Sequence, residues 1–211
     1  MFNVVTSVGR LKNISMLKDH LAPMGITWHV ITDEDLGFSL NFTEPWIKSY
    51  VFPNGNTEFW ARCHSALNWF LDTQEINQDE IYCFLNDDDG YESDFFSKAK
   101  VSFEQAKEQH GSNVDIVMVS MLRGQHIPPN TPWPRNHPTS TLYANPQNMR
   151  PGSVGLEQIL IRGNMLKTPR LTLDIDGDGR FIVQALNQNY VAYAPHIYAL
   201  FNYFEPGRWD K

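Results

Sequence analysis

The opening segment constrains the fold of this chain more than any other. Phe2-Asn3-Val4-Val5-Thr6 is short, largely apolar and β-branched, and it breaks at Gly9, the pattern of a buried strand running into a turn. Ile14, Leu17 and Leu21 then recur at helical spacing, and the pattern stops near Pro23 and Gly25. A second strand is expected over residues 26–32, ending in the acidic tip Asp33-Glu34-Asp35. Strand, helix, strand in this order predicts an α/β fold with a mostly parallel central sheet flanked by helices, whose ligands sit beyond the carboxyl ends of the strands.

The rest of the chain extends this alternation. Residues 36–56 carry Pro45, Pro53 and Gly55 among isolated aromatics and read as a long loop. From Glu58, the residues Phe59, Cys63, Ala66 or Leu67, and Phe70 or Leu71 share one face of an amphipathic helix that also bears Arg62. Residues 80–85 form the clearest strand and run directly into Asn86-Asp87-Asp88-Asp89-Gly90. A helix follows over 93–109, with Phe96, Ala99, Phe103 and Ala106 as its apolar stripe, then a buried strand over 114–119. Residues 124–152, rich in Pro and Asn, are expected to form a loop excursion. Later come a strand over 158–162, a helix over 178–186, a short strand over 190–193 and an aromatic tail over 201–209. Without an internal repeat or a linker, residues 1–211 read as a single domain, with 1–123 as its first half and 124–211 as its second.

Composition narrows the partners. A formal net charge of -7 with no Lys/Arg cluster argues against nucleic acid. The 42% hydrophobic and 19% charged fractions belong to a folded globular chain, and no apolar run is long enough for a membrane span. The first ten residues are too mixed for a signal peptide, so the expected location is cytoplasmic. Cys63 and Cys83 lie in apolar segments and read as buried thiols.

Three consecutive carboxylates repel one another unless solvent, a proton or a cation offsets their charge. Delivered by an apolar strand to the ligand side of a sheet, they suit Mg²⁺ or Mn²⁺, with phosphate and water completing the shell. The competing reading is a polar turn.

These residues carry a family resemblance. Val4-Val5-Thr6-Ser7-Val8-Gly9-Arg10, the acidic tip after the second strand, Ala61-Arg62, and Phe84-Leu85-Asn86-Asp87-Asp88-Asp89 together resemble a GT-A type glycosyltransferase, most closely the inverting family 2 group. The resemblance implies a Rossmann-like domain and transfer of a sugar from a nucleoside diphosphate sugar, UDP preferred, to a carbohydrate or other hydroxyl acceptor. It also implies Mn²⁺ or Mg²⁺ as cofactor, with Asp88 as first metal ligand. A one-residue slip would use Asp87 and Asp89 instead. His196 is the late His that completes the metal shell in parts of the class. Thr6, Arg10, Asp33, Asp35, Arg62 and Asp87 are the implied donor-binding residues. Arg62 alternatively pairs with Glu58. Among the aromatics Trp28, Trp46, Trp60, Tyr198, Tyr203 and Trp209, one would stack on sugar or acceptor, with the 201–209 tail as an acceptor wall.

The second acidic run, Asp174-Ile175-Asp176-Gly177-Asp178-Gly179-Arg180-Phe181, reads in two ways. As a calcium loop it fails at its twelfth position, where Ala185 stands in place of Glu. By resemblance, Asp178 opens a late helix and acts as general base, with Asp176 as its substitute in another register. Gly177 departs from the family pattern, which has an acid there. Two other functions remain open: a sugar-phosphate nucleotidyltransferase, for which Ser7-Val8-Gly9-Arg10 is a faint basic loop, and a non-catalytic nucleotide-sugar or calcium-binding relative.

Overall fold

The structure is a computed structural model and describes residues 1–34, 40–53, 59–111, 114–123, 140–186, 190–201 and 203–204. Strands β1 (Phe2–Val8), β2 (Thr27–Asp33), β3 (Ile47–Phe52) and β4 (Ile81–Phe84) alternate with helices α1 (Leu11–Leu21) and α2 (Phe59–Thr73). There follow β5 (Gly90–Tyr91), α3 (Phe95–His110), β6 (Val114–Arg123), β7 (Ser140–Leu142), β8 (Ile159–Arg162), α4 (Gly177–Leu186) and β9 (Tyr190–Phe201). They form one sheet in the order β3-β2-β1-β4-β8-β6-β9-β5, with β7 paired to β6.

The pairs β3–β2, β2–β1, β1–β4 and β6–β9 are parallel, and β8 lies antiparallel between β4 and β6. Most strands run in one direction, as expected, and β8 in the middle of the sheet and the short strands β5 and β7 run against them. Strands from both sides of residue 124 share this sheet.

Period-two alternation sorts the core onto the two faces. Val4 and Val8 of β1 join Leu17 and Leu21 of α1 and Phe95, Ala99 and Phe103 of α3. Val5 of the same strand faces Leu67 and Phe70 of α2 and Phe181 and Ile182 of α4. Helices on both faces explain why these strands read as continuous apolar runs.

Four strands differ from expectation: β5 and β7 are short additions, β7 inside the expected loop excursion, and β3 and β9 differ more. β3 falls inside the segment expected to be loop. It is an edge strand whose middle residues face outward, so it needs no apolar run to hold its pairing with β2. β9 runs well past residue 193, because Pro195, His196 and Ile197 bulge out between the pairs Val119–Ala194 and Ser120–Tyr198. The Ser120 hydroxyl donates to the Pro195 carbonyl at 2.9 Å and accepts from the Ala144 N–H at 2.9 Å, stapling the bulge. Cys63 and Cys83 are free thiols. No helix among the described residues is long and apolar enough to cross a membrane.

Candidate functional site

The acidic loop leaves the carboxyl end of β4, beside the turn between β1 and α1. Asp87 ties the two together. One of its oxygens accepts from the backbone N–H groups of Gly9 at 2.7 Å and Arg10 at 2.6 Å, and the other pairs with the Arg10 guanidinium. Arg10 also lies 3.2 Å from Asp88, and all three side chains are buried. Burial pushes the Asp87 carboxyl up to about 6 against the pull of Arg10, and burial raises Asp88 as well. Asp87 therefore joins two loops with the atoms a donor contact would need. Arg10 is turned inward onto the carboxylates and does not form an open basic loop.

Asp89 is fully buried and accepts from Asn86 Nδ2 at 2.9 Å, closing the loop on itself. Beyond β9, the Phe204 N–H donates to the Asp88 carbonyl at 2.8 Å, and the Tyr203 ring packs where a side chain at Gly90 would stand. The described part of the aromatic tail thus braces the acidic loop. Residues 202 and 205–209 lie outside the described residues.

Helix α2 holds the second acidic segment. Asn68 donates to the Leu171 carbonyl at 2.8 Å and accepts from the Leu171 N–H at 2.9 Å. One turn earlier, His64 Nδ1 lies 2.8 Å from the Thr172 carbonyl and Nε2 lies 2.7 Å from Asp178 Oδ1. A carbonyl oxygen only accepts, so Nδ1 carries a proton, and the short contact to Asp178 requires one more proton between Nε2 and Oδ1. His64 thereby fixes the Asp178 carboxyl at the start of α4 and leaves Oδ2 for a ligand. The Asp178 side chain keeps 27% of its surface against 4% for His64, so it is reachable.

Gly177 is where the family pattern has an acid, and the packing explains the departure. A Cβ at this position would stand 2.2 Å from the Thr172 carbonyl oxygen and 2.6 Å from His64 Nδ1. Gly177→Ala is expected to cost about 1–3 kcal/mol of stability by overpacking, read as a drop in Tm.

The remaining predicted residues scatter. Thr6 is a correction: it is fully buried in the core, and its hydroxyl accepts from the Trp28 indole at 3.0 Å, so it presents nothing to a nucleoside. Trp28 is likewise a packing residue, stacked on Trp46. Asp33, at the end of β2, and Arg62, on α2, come together with Nε and Oδ2 3.8 Å apart. Asp35, Glu58 and Trp209 lie outside the described residues.

His196 is exposed on the β9 bulge. Among the described residues no group of three or more His, Cys, Asp or Glu is placed to hold a metal, so His196 is not gathered with Asp88 and Asp89. The 174–178 run also diverges: Asp174 accepts from the Asp176 N–H at 3.0 Å, while Asp178 turns to His64. That divergence removes the convergent ligand set a calcium loop needs.

Sequence reasoning gave no role to His64, and marked Glu157 only as part of residues 154–158, which stand where the resembling enzymes have an acceptor-side turn. His64 and Asn68 stand four residues apart, polar positions beside an apolar helix face, which was the available signal. Glu157 lies in the buried turn 156–158, which packs against β4, β6, β9 and α4. It feels the charges of both Asp178 and Asp88, and Cys63 feels those of Asp178 and Asp87. Adjacent residues of α2 also touch the two acidic segments of the sequence, Cys63 Sγ lying 3.9 Å from Asn86 Oδ1 and His64 holding Asp178, so the two segments come together at α2.

This is a Rossmann-like α/β fold of the GT-A type. No protein-family model matches the chain, and no curated protein does. Among solved structures, S. aureus TarS matches over 93% of this chain and 36% of its own, with TM-score 0.58 and 15% identity. The shorter S. aureus TarS 1–349 matches over 93% of this chain and 59% of its own, with TM-score 0.57 and 15% identity. A 4-diphosphocytidyl-2C-methyl-D-erythritol synthase covers 98% of this chain and 92% of its own, with TM-score 0.44 and 11% identity. The chain thus spans little more than a third of the longer TarS chain, and the likeness is one of fold.

Proposed function

We propose that this chain is a glycosyltransferase that moves a sugar from a nucleoside diphosphate sugar to a hydroxyl acceptor with inversion. The observation that carries this reading is the meeting, at α2, of the strand-end acidic segment with a helix-start Asp178 held by His64. In the reaction, Asp178 Oδ2 takes the acceptor hydroxyl proton as the acceptor oxygen bonds to the anomeric carbon. The bond from that carbon to the diphosphate breaks, and its electron pair leaves with the diphosphate.

Among the described residues the end of β4 gathers no full set of protein ligands, so the metal reading rests on Asp88 as a single hard oxygen donor, with phosphate and water to complete the shell. Asp87 and Asp88 are buried close together, and Arg10 is the cation that the described contacts show beside them. Asp88 is the proposed holder of Mg²⁺ or Mn²⁺, which when bound supplies charge neutralisation for the diphosphate. Arg10 keeps Asp88 in place from the protein side. Asp33 and Arg62, paired beyond the end of β2, are the proposed contacts to the nucleoside.

Thermal stabilisation by UDP, GDP, dTDP and CMP, each with and without Mn²⁺, tests this reading. A metal-dependent rise in Tm with one nucleotide, lost in Asp88→Asn, is the expected result. No rise with any of them would sink the donor site.

A further inference from the structure

One buried acid is left over by this scheme. Glu157 is 1% exposed, and neither Oε1 nor Oε2 has a hydrogen-bond partner from another described residue. Leaving a buried carboxyl unsatisfied costs stability. The turn is able to satisfy what it buries, because the adjacent Gln158, fully buried, donates to the Val119 carbonyl at 3.0 Å and accepts from the Gly155 N–H at 3.2 Å. Two neighbours in one turn are thus treated in opposite ways.

The placement of the orphan is specific. Its carboxyl lies against Gly155, where a Cβ would stand 2.4 Å from Oε1 and 2.5 Å from Oε2. Gly155 is itself partly exposed, so a bare glycine backbone is the cover on that side. The charges of Asp178 of α4, Asp88 beyond β4 and Arg123 of β6 act on Glu157, and Glu157 acts on Tyr91 of β5. The turn that carries it packs against α4, which opens with the proposed base, and against β4, which leads into the proposed metal carboxylate.

We propose that Glu157 is a sugar-recognition residue whose two carboxyl oxygens pair with adjacent hydroxyl groups of the donor sugar. This rests on the glycosyltransferase reading. A carboxyl group offers two oxygens side by side, matching two hydroxyls on neighbouring ring carbons, and the bound sugar gives the orphaned atoms the partners that the free protein withholds. A residue kept at a cost to stability for a ligand follows the general trade between stability and function.

Burial, together with the charges of Asp178 and Asp88, pushes the Glu157 carboxyl up to about 8. A carboxyl raised in the folded state binds more protons there than in the unfolded chain. Its contribution to stability is therefore present at low pH and lost as pH rises from its ordinary value near 4.5 toward 8.

Calorimetric titration of the whole chain and of Glu157→Gln with UDP, GDP, dTDP and CDP, and with the glucose conjugate of each, separates the possibilities. The expected result is that Glu157→Gln binds one free nucleotide as the parent does but loses about tenfold in affinity for its glucose conjugate. The free variant should also melt higher than the parent, by an increment that grows as pH rises from 4.5 to 8. If free nucleotide and conjugate weaken together, or neither changes, the recognition role is overturned while the transferase reading stands. A variant that melts lower than the parent also overturns it, since the acid is then structural. If the parent binds none of these compounds, both readings fall.

Discussion

An Asp178→Asn variant is expected to lose transfer by about 10²–10⁴-fold while folding and binding nucleotide as the parent does. The substitution keeps the shape of the side chain. With His64 Nδ1 donating to the Thr172 carbonyl, a neutral Nε2 accepts from the new amide, so the contact across 2.7 Å survives without its charge. What disappears is the basicity of the carboxylate, because the amide oxygen left at the Oδ2 position does not take the acceptor proton. Turnover measured beside nucleotide-induced stabilisation separates the outcomes. Loss of turnover with the stabilisation retained is expected, whereas unchanged turnover would remove Asp178 as the base and return attention to Asp176.

An Arg10→Ala variant is expected to lose about 3–5 kcal/mol of stability, a fall in Tm of roughly 10 °C for a chain of this size. Arg10 is buried and pairs with two buried carboxylates. Removing it leaves Asp87 and Asp88 facing each other with the Gly9 and Arg10 backbone N–H groups as the main remaining compensation. A double-mutant cycle with Asp87→Asn checks the cause: the double variant should recover much of the loss, because the uncompensated charge goes with it. Equal stability of Arg10→Ala and the parent would mean that the loop is held by other contacts and that Arg10 is available for ligand.

The two predictions separate roles that the sequence presents alike. Asp87, Asp88 and Asp89 are neighbours of the same type, yet Asp87 joins two loops, Asp89 closes its own loop, and Asp88 is the one proposed for the metal. Arg10 and Arg62 both looked like ligand contacts. One is spent on the acidic loop and the other pairs with Asp33.

By itself the sequence determined the layers of this protein. Apolar runs of period two and stripes of period 3.6 are local consequences of which face is buried, so β1, α1, β2, α2, β4, α3, β6 and α4 could be read without knowing their partners. The acidic run after the apolar β4 and the aspartate opening α4 were legible for the same reason: charge breaks an apolar pattern at a definite place.

Only the tertiary structure decided how those pieces meet. β3 gave a weak signal because an edge strand is half wet, and the reversal of β8 depends on pairing with β4 and β6, which no local pattern encodes. The length of β9 was hidden by Pro195, whose disruption is absorbed by a bulge stapled from Ser120. His64 and Glu157 acquire their meaning from residues far along the chain, one by holding Asp178 and the other by being buried, with no hydrogen-bond partner from another described residue, where the charges of both acidic clusters act on it. Burial and long-range electrostatics belong to the folded arrangement, whereas periodicity belongs to the chain.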